Sequence, residues 1–144
     1  MTTFGKGTLV ALGGLALAAA PASAQFGGPP PPPNTGVPLF ADLDGGNADG
    51  QITVVVDPPK GKACYIMNVT GLTDVTAAHI HTGGPGETGG PVLTLEAPSD
   101  RASGACVDIA ADLASALLAN PGGYYVNVHT QLQPGGAIRG QLRS

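Results

Sequence analysis

From Leu39 onward, glycine, proline and aspartate interrupt the chain every few residues, and the apolar runs left between them have the length of strands rather than helices. The expected strands are residues 51–56, 63–69, 77–81, 92–95, 104–109, 124–129 and 137–142. Short strands at this spacing predict an all-β sandwich or barrel. One segment breaks the rhythm. Residues 112–120 begin with Asp112 as an expected N-cap, carry apolar positions at i and i+4, and end at Pro121-Gly122-Gly123, which predicts a short helix crossing one end of the domain.

The amino-terminal part reads differently. Lys6 precedes an apolar run from Leu9 to Ala20, and Ala22-Ser23-Ala24 follows with small residues where signal peptidase reads them, so residues 1–24 are expected to be a Sec-type signal peptide cleaved after Ala24. The run is too short to span a bilayer and has no charged stop-transfer flank, so no membrane span is expected in the mature form. Residues 25–38, with five consecutive prolines from Pro29 to Pro33, are expected to form a stiff, extended spacer, and residues 39–144 the domain. The protein is therefore expected to be secreted or periplasmic. Without Lys6, five basic residues face ten acidic ones, a net charge of −5 that argues against a nucleic-acid partner. Tryptophan is absent, which removes the usual stacking platform for bases or sugars.

Cys64 and Cys106 are the two cysteines of the chain. In an exported protein they are expected to form one disulfide, the alternative being a pair of thiolate metal ligands without the usual CxxC or CxxH spacing.

Two blocks carry a family resemblance: Ala78-His79-Ile80-His81-Thr82-Gly83-Gly84-Pro85-Gly86 running to Gly90-Pro91-Val92, and Tyr124-Tyr125-Val126-Asn127-Val128-His129-Thr130 followed by Pro134-Gly135-Gly136-Ala137-Ile138-Arg139-Gly140-Gln141-Leu142. In this order they resemble the CHRD (chordin-type) family, in a bacterial exported form. The resemblance covers nearly the whole domain, with Asp44-Gly45-Gly46-Asn47-Ala48-Asp49 departing from the family's usual first turn. It implies a Greek-key immunoglobulin-like or superoxide-dismutase-like β-sandwich and brings no settled activity, so function rests on the residues.

All three histidines fall inside these blocks. Strand alternation puts Ala78 and Ile80 on one face and projects His79 and His81 together from the other; likewise Tyr124, Val126 and Val128 oppose Tyr125, Asn127 and His129. If the two strands are neighbours, His79, His81 and His129 make a three-nitrogen surface site with an open position, suited to copper or zinc, and the exported compartment favours copper. Arg139, Asn127 and Tyr125 are expected beside it, drawing an anion or supporting the ligands. A weaker similarity to copper-zinc superoxide dismutase lies in the HxH strand, the later histidine and the arginine near the carboxyl terminus, but the chain has no histidine left for a bridging ligand or a zinc site. In the competing structural reading the imidazoles hydrogen-bond to the turns 83–90 and 134–136, and Arg139 pairs with a carboxylate on the sheet edge.

Asp42, Asp44 and Asp49 invite a calcium reading, but position twelve counted from Asp42 is Thr53 instead of the bidentate glutamate of an EF-hand, so a solvated turn is expected. No nucleophile elbow, phosphate loop or acid/base carboxylate pair is visible. The expectation is an exported, non-enzymatic binding or structural module with a three-histidine copper site and an unknown protein or matrix partner. The alternatives are a small dismutase-like copper redox enzyme and an adhesion or matrix module.

Overall fold

Alternation of apolar and polar residues organises the domain seen in the computed structural model, which describes residues 36–144. The expected signal peptide and the spacer up to position 35 lie outside the described residues. Eight strands follow in chain order: β1 (Val37–Gly45), β2 (Ala48–Asp57), β3 (Lys62–Thr70), β4 (Val75–Thr82), β5 (Pro91–Leu95), β6 (Ala102–Asp108), β7 (Tyr124–Thr130) and β8 (Ile138–Gln141). They pair antiparallel in one sheet of order β5-β4-β7-β8-β1-β2-β3-β6. One helix, α1 (Ala111–Ala119), joins β6 to β7 through a 3₁₀ turn at Pro121–Gly123.

The inward residues of both halves of the sheet meet in one apolar cluster. Leu39, Leu43, Val54, Val56 and Met67 come from β1 to β3, while Ile80, Val126, Val128 and Ile138 come from β4, β7 and β8; all are almost fully buried. Burying an aliphatic side chain stabilises the fold by about 1.5–3 kcal/mol, so this alternation sets the register. Helix α1 closes one end by burying Ala114 and Leu117 against the same cluster.

Two expectations need correction. Residue 112 is not the N-cap: Ala110 occupies that place with no side-chain cap, and Asp112 lies in the first turn, its carboxylate accepting from the neighbouring Leu113 N–H at 2.8 Å. The aspartate-rich segment is mostly strand instead of turn. Leu39, Ala41 and Leu43 point inward from β1, which puts Asp42 and Asp44 on its outer face, while Asp49 belongs to β2 and only Gly46-Asn47 turn the chain. Asp42 pairs with Arg143 at 2.9 Å, and Asp49 accepts a hydrogen bond from the Thr70 hydroxyl.

The cysteines form the expected bridge. Cys64 on β3 stands directly opposite Cys106 on β6, with Cα atoms 3.9 Å apart, and no free cysteine remains. Among the described residues no helix is long and apolar enough to cross a membrane.

Candidate metal centre

Strands β4 and β7 pair side by side, so the two histidine-bearing segments are neighbours. His79 stands opposite Asn127, His81 opposite Tyr125, and His129 opposite Ala77. On the non-core face the three imidazoles gather: ring centroids lie 5.6 Å apart for His79 and His81, 5.2 Å for His79 and His129, and 5.7 Å for His81 and His129. Each offers one ligand atom, and these atoms all lie within 4.8 Å of one another. Nitrogens bound to one ion at about 2.0–2.1 Å stand roughly 3.3–4 Å apart, so small ring rotations close the set around a metal.

The ring nitrogens divide their work. His81 Nδ1 lies 2.9 Å from the Gly89 carbonyl oxygen and His129 Nδ1 lies 2.9 Å from the Pro134 carbonyl oxygen. A carbonyl only accepts, so each Nδ1 carries the proton and each Nε2 keeps its lone pair. Both Nε2 atoms are buried without a hydrogen-bond partner among the described residues, and so is His79 Nδ1. Bracing of the turns and ligand geometry are therefore both present: in His81 and His129 the same ring does one through Nδ1 and is free for the other through Nε2.

The cluster is half-buried where alternation alone had implied an open surface, with His79 and His129 partly exposed and His81 buried. His81 is 8 % exposed and Asn127 6 %. The loops 83–90 and 131–137 are tied to this face by hydrogen bonds, and most of β7 is buried, with Tyr124 and His129 half-buried. The glycines in these loops make the approach tight. A Cβ on Gly89 would lie 2.0 Å from the Thr82 carbonyl oxygen, and one on Gly136, whose φ is +127°, would lie 2.3 Å from the Asn127 amide oxygen. Asn127 Nδ2 donates to the Gly135 carbonyl at 3.1 Å, which fixes the second loop.

Burial holds His79 below the ordinary imidazole value of 6.5, and the neighbouring His129 and His81 push it the same way. A neutral imidazole is the ligand form, so the environment keeps His79 ready to coordinate at lower pH than a free side chain.

Tyr125 and Arg139 build the flank. The Tyr125 ring stacks on His81 at 5.1 Å with an interplanar angle of 16°, and its hydroxyl oxygen accepts from the Gly89 N–H at 3.3 Å. The Arg139 guanidinium carbon lies 3.6 Å from the Tyr125 ring centroid. The edge ion pair expected for Arg139 is not formed: among the described residues its partners are carbonyls, with Nη1 donating to Glu87 at 2.9 Å and Nη2 to Gly84 at 3.5 Å. Sequence reasoning missed Gln141, whose Nε2 lies 2.7 Å from the Gly83 and Gly122 carbonyl oxygens and 2.8 Å from that of Tyr124. No local pattern marks it, because its role comes from the pairing that sets Gln141 opposite Tyr125 across β7 and β8.

Comparison with known proteins adds one match. Neither a curated protein nor a solved structure matches the chain. The family pattern of the CHRD domain matches residues 19–142, most of the chain and both histidine blocks, and the chain therefore belongs to the CHRD domain family.

Proposed function

We propose that this CHRD domain is a non-enzymatic exported binding module that holds one copper ion through His79 Nδ1, His81 Nε2 and His129 Nε2. One observation carries the reading: three buried ring nitrogens without hydrogen-bond partners among the described residues, two of them on imidazoles whose other nitrogen is tied to a backbone carbonyl. Fixing the distal nitrogen is how proteins orient histidine ligands and set their tautomer. Leaving three polar atoms buried and unpaired costs stability, and a bound metal would relieve that cost.

An all-imidazole set with no thiolate or carboxylate suits copper and zinc, and three protein ligands leave a coordination position open. Copper is preferred because its affinity for nitrogen sites exceeds that of the other divalent first-row metals. Export through a signal peptide cleaved after Ala24 and a Greek-key, superoxide-dismutase-like arrangement of the sheet belong to the same proposal. The Cys64–Cys106 bridge supports the exported setting, since structural disulfides persist in oxidising compartments. The donors of Arg139 are directed at carbonyls, which supports a binding role over an anion-drawing one.

The test is copper titration by calorimetry on metal-free protein, with the single alanine variants of His79, His81 and His129 alongside. One equivalent of copper should bind wild type, and each variant should lose at least tenfold in affinity. No binding by wild type, or unchanged binding in all three variants, ends the proposal.

A further inference from the structure

We infer that Arg139 is a positioning residue for His81, acting through the Tyr125 ring and through the loop 83–90. The inference rests on the proposed metal site for its copper readout, while its structural readout needs no metal.

Two routes run from the guanidinium to the same imidazole. The first is a stack. Strands β4 and β8 flank β7 on opposite sides, so Tyr125 on β7 receives His81 from one neighbour and Arg139 from the other. The guanidinium carbon is 3.6 Å from the phenol centroid, and the phenol lies nearly parallel to the His81 ring, at 16° and 5.1 Å. A guanidinium over an aromatic face is held by charge and by flat contact, and it restricts the ring beneath it.

The second route is the loop. Nη1 and Nη2 of Arg139 donate to the carbonyls of Glu87 and Gly84, across more than fifty residues of sequence, and so tie down the segment that presents the Gly89 carbonyl to His81 Nδ1. Tyr125 reaches the same glycine through its hydroxyl. The face of His81 and the acceptor that fixes its proton are thus both set by one side chain two strands away. A lysine carries the charge but has neither the planar face nor the two-pronged donor geometry, so it should not substitute.

Long-range ¹H–¹⁵N correlation spectra of metal-free protein report which nitrogen of His81 carries the proton. Wild type should show the Nδ1–H form alone. In Arg139→Ala and Arg139→Lys the Nε2–H form should appear, as the loop carbonyl is released; the lysine variant serves if the alanine variant does not fold. In the copper arm, chelator competition should show at least a tenfold loss of Cu(II) affinity in both variants, with a changed paramagnetic resonance spectrum. A role confined to fold stability would lower the melting temperature and leave the His81 tautomer as in wild type, and that result overturns the inference. Unchanged copper affinity and spectrum in both variants, where wild type binds copper, overturn it as well. Tautomer change in a protein that binds no copper upholds the positioning role and removes the metal reading instead.

Discussion

Replacing His79 with leucine should make the metal-free domain more stable while removing the proposed metal binding. The three histidines differ in one respect that decides this. His81 and His129 each donate from Nδ1 to a carbonyl, whereas Nδ1 of His79 is buried with no partner among the described residues. An unpaired buried polar atom costs about 1–3 kcal/mol, and a leucine of similar size removes the atom and keeps the volume filled. Because the His79 side chain is only partly buried, the gain should sit near the lower end, about 1 kcal/mol. For a domain of about a hundred residues that raises the melting temperature by roughly 4–5 °C. Leucine at His81 or His129 also removes an unpaired Nε2, but it gives up the Nδ1 hydrogen bond to the Gly89 or Pro134 carbonyl, worth about 1 kcal/mol, so the net effect should be near zero or a loss. Thermal and urea melts in the presence of a chelator give the ordering of the three variants. If His79→Leu lowers stability as much as His81→Leu does, the assignment of Nδ1 as a buried, unpaired nitrogen is wrong.

Further expectations follow from other parts of the structure. Opening the bridge with Cys64→Ala and Cys106→Ala together should lower stability by about 4 kcal/mol in the chain-entropy account, since the loop spans a separation of 42 residues; denaturant melts of oxidised wild type and the double variant measure it. Gly89→Ala places a methyl 2.0 Å from the Thr82 carbonyl oxygen, so the loop must shift and the His81 contact must lengthen; metal affinity should fall at least tenfold, and unchanged affinity in a folded variant refutes this. The lowered His79 value means that below pH 6.5 the unfolded chain binds a proton that the folded chain refuses, so stability of the metal-free domain should be level above 6.5 and decline as pH falls below it. Urea melts between pH 5 and 8 should show that slope in wild type and less of it in His79→Leu.

Much of this was readable from local pattern. The alternation in Ala78-His79-Ile80-His81 and in Tyr124 to His129 placed the histidines on one non-core face, and the strands proved to be neighbours. The cysteine pairing and the short helix were equally accessible. The first strand was not, because Asp42, Asp44 and Asp49 with their glycines carry strong turn signals that outweigh the inward alternation of Leu39, Ala41 and Leu43. Burial of the site was hidden for a different reason. The covering of His81 depends on contacts from Arg139, Gln141 and Tyr125 to a loop distant in sequence, and period-two alternation reports which face a residue occupies without saying what lies over it.

The strand order places the bridge and the histidines in separate parts of one sheet. Cys64 and Cys106 join β3 to the edge strand β6, whereas the imidazoles stand on β4 and β7, beside the opposite edge. Four strands, β8, β1, β2 and β3, separate β7 from β6, so reduction releases a margin that shares no hydrogen bond with the ligand strands. Such a domain partitions its vulnerabilities. A thiol reductant should fray one border first, and the proposed metal would report on the other, which would make the two chemistries separable handles on the same fold.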